Sequence, residues 1–169
     1  MRSDAAESEP DEGGRPAGEV YDWYQRGLAL LDGGNPAAAA TVLEYAVASE
    51  PTSASLREAL ARALFDAGRY EAAAGEFGAL VEQVPQDDYA RFGLGLTRYR
   101  LGDVEAAAQH LAMAVTMRPG RREYVQALRE ARATLRARED PGRGDPADDG
   151  ADEVSDDVTD DLADGGGSA

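Results

Sequence analysis

Proline stands at positions 51, 85 and 119 and glycine at 34, 68 and 102, and both series step by 34 residues. The same step joins Ala39 to Ala73 and Ala107, Leu43 to Phe77 and Leu111, and Ala46 to Leu80 and Ala114. Five registers in phase exclude coincidence, so the chain is a tandem array of one unit. Two copies read AGRYEAAAGEF and LGDVEAAAQHL, and a more degraded one reads GGNPAAAATVL. In each copy apolar residues recur at helical intervals on both sides of a glycine-centred break, which makes the unit two short antiparallel helices and a turn. Helices are predicted over 20–32, 36–48, 54–66, 70–82, 88–100 and 104–116. Asn35 before Pro36 and Asp103 before Val104 read as N-caps of second helices. Pro36 falls in the first turn, where its missing N–H costs nothing.

A lone hairpin of this kind cannot bury its apolar faces, so the copies must stack. The expected fold is all-α: hairpins over 20–53, 54–87 and 88–121 form a short right-handed superhelix, an α-solenoid with a concave and a convex side. Residues 121–138, RREYVQALREARATLRAR, supply an ending. Tyr124, Leu128, Ala131 and Leu135 make one apolar stripe, and Arg129 takes the place in phase with Gly95, so this segment is read as a capping helix. Gly27, Ala61 and Gly95 sit mid-helix and in phase. Glycine there costs about 1 kcal/mol relative to alanine. That cost implies close approach of the partner helix, expected at Ala39, Ala73 and Ala107.

The period and its residues resemble the tetratricopeptide repeat, whose pattern runs Trp-x-x-Leu-Gly-x-x-Tyr, then Ala-x-x-x-Phe, then Pro. Trp23, Gly27, Leu30, Ala39, Leu43 and Pro51 match or approximate it in the first copy. Leu60, Ala61, Leu64, Ala73, Phe77 and Pro85 do so in the second, and Leu94, Gly95, Ala107, Leu111 and Pro119 in the third. The chain departs from the pattern at Arg57 and Arg91, which replace the tryptophan, and at Arg26 and Arg98, where apolar residues are expected. Their stems can pack while their heads reach solvent or acidic neighbours.

The resemblance implies that first helices line the concave groove and hold a peptide or helix of another protein. Tyr21, Tyr24 and Leu28, then Glu58 and Arg62, then Tyr89, Phe92 and Leu96 are the expected groove residues. Large aromatics on a concave surface are typical anchors. Leu31, Phe65 and Tyr99 are expected in the core. Some family members hold the C-terminal carboxylate of heat-shock chaperones with a clamp of lysines and asparagines. No such clamp is present, and only Arg62, beside Glu58, could substitute for it.

Charge divides the chain. Net charge is -16, yet residues 20–138 hold 15 acids and 14 arginines. Residues 1–19 carry six acids against two arginines, and residues 139–169 twelve against Arg143 alone. Such tails, nearly empty of large apolar residues, are expected to be disordered. In the second tail Val154, Val158 and Leu162 recur every four residues among aspartates, and a transient helix there would complement the arginine-rich cap. All 17 basic residues are arginine, which fits a GC-rich coding bias.

Chemistry of other kinds finds little support. With no cysteine, neither a disulfide nor a thiolate metal site is available. His110, beside Gln109, has no in-phase acid or second histidine and reads as a solvated helix position. Asp87 and Asp88 at a helix start are explained by capping and the helix dipole. No catalytic, cofactor or metal residues are assigned, and the acidic tail argues against nucleic acid. The N-terminus lacks the basic start and apolar run of a secretory signal, and no stretch approaches the roughly 20 apolar residues of a membrane span. A cytoplasmic, non-catalytic interaction module, acting as adaptor or assembly scaffold, is expected. A small chaperone for a secreted or envelope client and a regulatory subunit are the alternatives.

Overall fold

Two short devices, repeated once per unit, turn the chain back on itself. The computed structural model describes residues 18–140; the expectations for 1–17 and for most of the second tail, including Val154, Val158 and Leu162, lie outside the described residues. Seven helices follow in order: α1 (Val20–Asp32), α2 (Pro36–Ser49), α3 (Ala54–Asp66), α4 (Tyr70–Gln83), α5 (Asp88–Arg100), α6 (Val104–Met117) and α7 (Arg122–Glu139). The ends of the first six agree with the predicted ones to within one residue.

Within each hairpin the turn is made by the phased glycine. Gly34, Gly68 and Gly102 hold φ of 73°, 76° and 84°, a left-handed conformation that a Cβ would strain. This conformation lets the next residue donate back to the last turn: Asn35 to Leu30 O at 2.8 Å, Arg69 to Leu64 O at 2.9 Å and Asp103 to Arg98 O at 3.0 Å. These bonds satisfy carbonyls that a helix end otherwise leaves open. Between hairpins the phased proline opens a four-residue turn, closed by Ser53 N–H on Glu50 O, Asp87 N–H on Val84 O and Arg121 N–H on Arg118 O. Proline suits the second position of such a turn because its φ is already set.

Asp87 and Asp103 cap their helices, accepting from Ala90 N at 3.0 Å and Ala106 N at 3.2 Å. Asn35 does not. Its side chain donates to Gly33 O at 3.1 Å, and helix α2 starts from Pro36 without a side-chain cap. Here the turn competes successfully for the polar group.

The repeat-defining positions divide cleanly. Trp23, Gly27, Ala39, Ala61, Ala73, Gly95 and Ala107 are buried, whereas Pro51, Pro85 and Pro119 lie exposed in their turns. At the mid-helix glycines the atoms nearest a Cβ belong to leucines of the second helix, beside the buried alanines to which the sequence pointed. A Cβ on Gly27 would lie 2.5 Å from Leu43 Cγ, and one on Gly95 2.7 Å from Leu111 Cγ. The leucine crown of the second helix fills the space that glycine vacates.

The backbones of α1 and α3, of α3 and α5, and of α5 and α7 come close, while those of α2, α4 and α6 stay apart from one another. The stack therefore curves toward the first helices, which form its inner layer. Helix α7 also packs on α6, and so occupies the place of a fourth first helix. Tyr124 seats it. The ring is wholly buried and stacks on Phe92 with centroids 4.3 Å apart, and its O–H donates to Asp88 Oδ2 at 2.9 Å. Asp88 Oδ1 in turn accepts from Arg118 Nε at 3.2 Å. Farther along, the Tyr99 and Thr134 hydroxyls lie 3.0 Å apart, and Leu128 and Ala131 join Val104 and Leu111 in one buried cluster.

Candidate functional site

The inner layer presents three rows of in-phase positions: 21, 55 and 89; 24, 58 and 92; and 28, 62 and 96. Helical spacing of three and four places these on one face of α1, α3 and α5. The rows differ from one end of the stack to the other.

At the first end Tyr21 is 69% exposed, the most open large apolar side chain among the described residues. Tyr24 is half-buried against the core. With Val20, Glu50, Ser53, Ser55 and Leu56 they line a depression of about 310 Å³ between α1 and the start of α3. Leu28 packs partly against the core beyond it.

The middle is polar and acidic. Arg62 and Glu58 are both exposed on α3, and Arg62 pairs with Asp66 one turn later at 3.8 Å. Partial burial pushes the Glu58 carboxyl above its ordinary value, the nearby Asp87 charge pushes the same way, and Arg62 opposes both. Tyr89, on α5, sets its ring edge-on to Phe77 with centroids 6.4 Å apart. Burial raises the Tyr89 phenol, Arg62 lowers it, and Glu58, Asp66 and Asp87 raise it. One arginine thus stands among three acids and a tyrosine hydroxyl.

At the far end the face is largely taken. Phe92 lies under Tyr124, and Leu96 and Tyr99 pack with it against the cluster that α7 completes. Of the expected groove residues, Tyr21, Glu58 and Arg62 are exposed, Tyr24, Leu28 and Tyr89 are partly buried against the core, and Phe92 and Leu96 pack into the cluster that α7 completes. Leu31 is buried as expected, and Phe65 and Tyr99 are only partly so. Sequence reasoning missed Asp66 and Asp87 as members of the polar belt. Asp66 could have been found, four residues after Arg62. Asp87 could not, because it stands far from Glu58 in sequence, as the cap of α5, and its charge reaches Glu58 only once α3 and α5 are packed together.

His110 is not the solvated residue the sequence suggested. It is half-buried, its Nδ1 is enclosed without a hydrogen-bond partner, and burial followed by Arg91 and Arg98 lowers its proton affinity, with Asp103 opposing. Among the described residues no three of His, Cys, Asp and Glu gather as a metal site, and no helix is long and apolar enough to cross a membrane.

The sequence has no match among curated proteins. Solved structures match in fold. The first TPR domain of Spaghetti (RPAP3), bound to the HSP90 peptide SRMEEVD, is 18% identical over 69% of this chain and 93% of its own, with a TM-score of 0.66. The second TPR domain of human RPAP3, in complex with the HSP70 peptide SGPTIEEVD, is 20% identical over 67% and 94%, with a TM-score of 0.63. MamA of Desulfovibrio magneticus RS-1 is 23% identical over 72% and 68%, with a TM-score of 0.68. The family model described as tetratricopeptide repeat matches residues 24–88 and, overlapping them, 58–122. These two matches together span more than half of the chain: the chain belongs to the tetratricopeptide repeat family.

Proposed function

We propose that the protein is a non-catalytic interaction module, an adaptor or scaffold, whose inner face takes a segment of another protein carrying a basic side chain beside apolar ones. The observation that carries this reading is the pairing of exposed Tyr21 and half-exposed Tyr24 with the acidic belt of Glu58, Asp66 and Asp87. Aromatic anchors supply contact area, and a belt with more acid than base selects a cation. Two of the structural relatives hold acidic peptides, SRMEEVD and SGPTIEEVD. The belt here has the opposite bias. Arg62 is already engaged by Asp66 and flanked by Glu58, and the chain has no lysine to form a carboxylate clamp.

The test uses the full chain and fluorescein-labelled, end-capped Leu-Arg-Leu-Arg-Leu, with Leu-Glu-Leu-Glu-Leu as its counterpart, read by polarisation. Tyr21→Ala and Glu58→Gln are each expected to weaken the arginine peptide about tenfold, or about 1.4 kcal/mol. Both positions are exposed, so helix content should not change. Equal binding by the two variants and the natural protein would defeat the reading.

A further inference from the structure

One register of the repeat carries different chemistry in each copy. Trp23, Val42 and Tyr45 in the first copy are in phase with Arg57, Glu76 and Ala79 in the second and with Arg91, His110 and Met113 in the third. In the first copy the set is apolar: Trp23 and Val42 are buried together, and the Trp23 and Tyr45 rings lie 6.4 Å apart. In the second it is an ion pair. Arg57 Nη1 donates to Glu76 Oε2 at 2.6 Å and Nη2 to Pro51 O at 2.7 Å, so the guanidinium, largely withdrawn from water, has its counter-charge.

In the third copy the arginine is kept and the acid is gone. Arg91 Nε donates to Pro85 O at 3.2 Å, repeating the tie of Arg57 to Pro51. Among the described residues its Nη1 meets Met113 Sδ alone, at 3.2 Å, and a thioether is a weak acceptor. Where Glu76 would supply a carboxylate stands His110, with its enclosed Nδ1 unpartnered. Acids are removed from the rest of this surface as well. Glu44 of the first copy is in phase with Ala112, and Glu82 of the second with Thr116. Helix α6 holds no acid after Glu105.

Beside this unmatched charge lies apolar space. Arg91, Gln109, Ala112, Met113, Thr116 and Met117 line an open depression of about 560 Å³, with Met113 47% and Met117 36% exposed. Methionine is flexible and polarisable and suits surfaces that accept varied apolar side chains.

We propose that Arg91 of α5, with His110 and the Met113–Met117 surface of α6, forms a second binding site between the two helices of the third repeat for an acidic and apolar segment of another protein. An Asp or Glu carboxylate of that segment takes the place of the absent Glu76 counterpart at the Arg91 guanidinium, and an adjacent apolar side chain covers the methionines. Charge-assisted pairing of guanidinium and carboxylate gives the site its sign. Arg98, which also acts on His110, reinforces it, and Asp103 at the start of α6 opposes it. The site is separate from the inner face and has the opposite charge preference.

The test uses the full chain at 150 mM salt, where screening over about 8 Å suppresses the long-range repulsion of the acidic tails. Fluorescein-labelled, end-capped Leu-Glu-Leu-Glu-Leu is titrated against its Leu-Gln-Leu-Gln-Leu counterpart. The glutamate peptide is expected to bind at least tenfold more tightly. His110→Glu rebuilds in the third repeat the internal pair of the second and should erase that preference, with helix content kept and Tm unchanged or higher. Arg91→Gln should erase it too, and Tyr21→Ala should leave it intact. Equal affinity for the two peptides, no binding of either, or a preference that survives His110→Glu overturns the proposal. Self-association of the full chain that His110→Glu abolishes would likewise overturn it, in favour of a second copy as the occupant.

Discussion

Tyr124→Ala is expected to destabilise the protein by about 3–5 kcal/mol, the cost of removing a large, fully enclosed aromatic ring. The ring is 0% exposed, stacks on Phe92 and anchors α7 over the third repeat. Urea denaturation followed by circular dichroism should show the midpoint fall, with the first helicity lost from α7. A change below about 1 kcal/mol would mean that α7 is held by its leucine and alanine stripe alone. Tyr124→Phe isolates the hydrogen bond to Asp88 and should cost about 1–2 kcal/mol, because the acceptor keeps Arg118 as a second donor.

The same tyrosine makes the fold sensitive to alkali. Burial first, and then the bond to Asp88, push the phenol well above its ordinary value near 10. The unfolded chain therefore releases this proton at a lower pH than the folded one, so the contribution is whole below about pH 10 and is lost as pH rises beyond it. Tyr124→Phe should flatten the fall in urea midpoint between about pH 10 and 11.5. Tyr89, whose phenol is also raised, leaves a residual slope.

Gly93→Ala is expected to destabilise by about 1–3 kcal/mol although alanine is the better helix former. A Cβ there would lie 2.4 Å from both Cε1 and Cζ of Phe77, whose ring is 2% exposed and cannot retreat. Gly75, inside α4, offers the opposite case, since nothing lies within 4 Å of its Cβ position. Gly75→Ala should stabilise by about 1 kcal/mol. Opposite signs for the two changes in urea midpoints are the expected result. A Gly93→Ala variant as stable as the natural protein would mean that α4 and α5 can part without cost, contrary to the packing of Phe77.

The two glycines show where sequence reasoning stops. Gly27 and Gly95 announce themselves because they are in phase, and the inference of close approach held, with a leucine of the second helix nearest the Cβ position. Gly93 has no glycine in phase with it, since Gln25 and Ala59 hold its place in the other copies. Its need for a bare backbone comes from Phe77, which replaces the leucines at 43 and 111 and reaches into the next repeat. Asp88 is similar: at a helix start it reads as a dipole partner, and its real partner is a tyrosine 36 residues on.

The sequence by itself determined the hairpins, their period and their ends, because these rest on bonds between residues at most six apart. A glycine at positive φ, a proline opening a four-residue turn and an aspartate cap act wherever they are placed. Which parts of the inner face stay open was decided only by the tertiary structure. Tyr24 and Phe92 occupy the same register and are both aromatic, yet Phe92 lies beneath the terminal helix, where Tyr124 stacks on it, and Tyr24 lines an open depression. The pairing of Arg57 with Glu76, and its loss at Arg91 and His110, likewise appears only when the two helices of a repeat are brought face to face. Exposure and charge balance at such positions depend on the volume and charge of neighbours that close in only when the repeats stack.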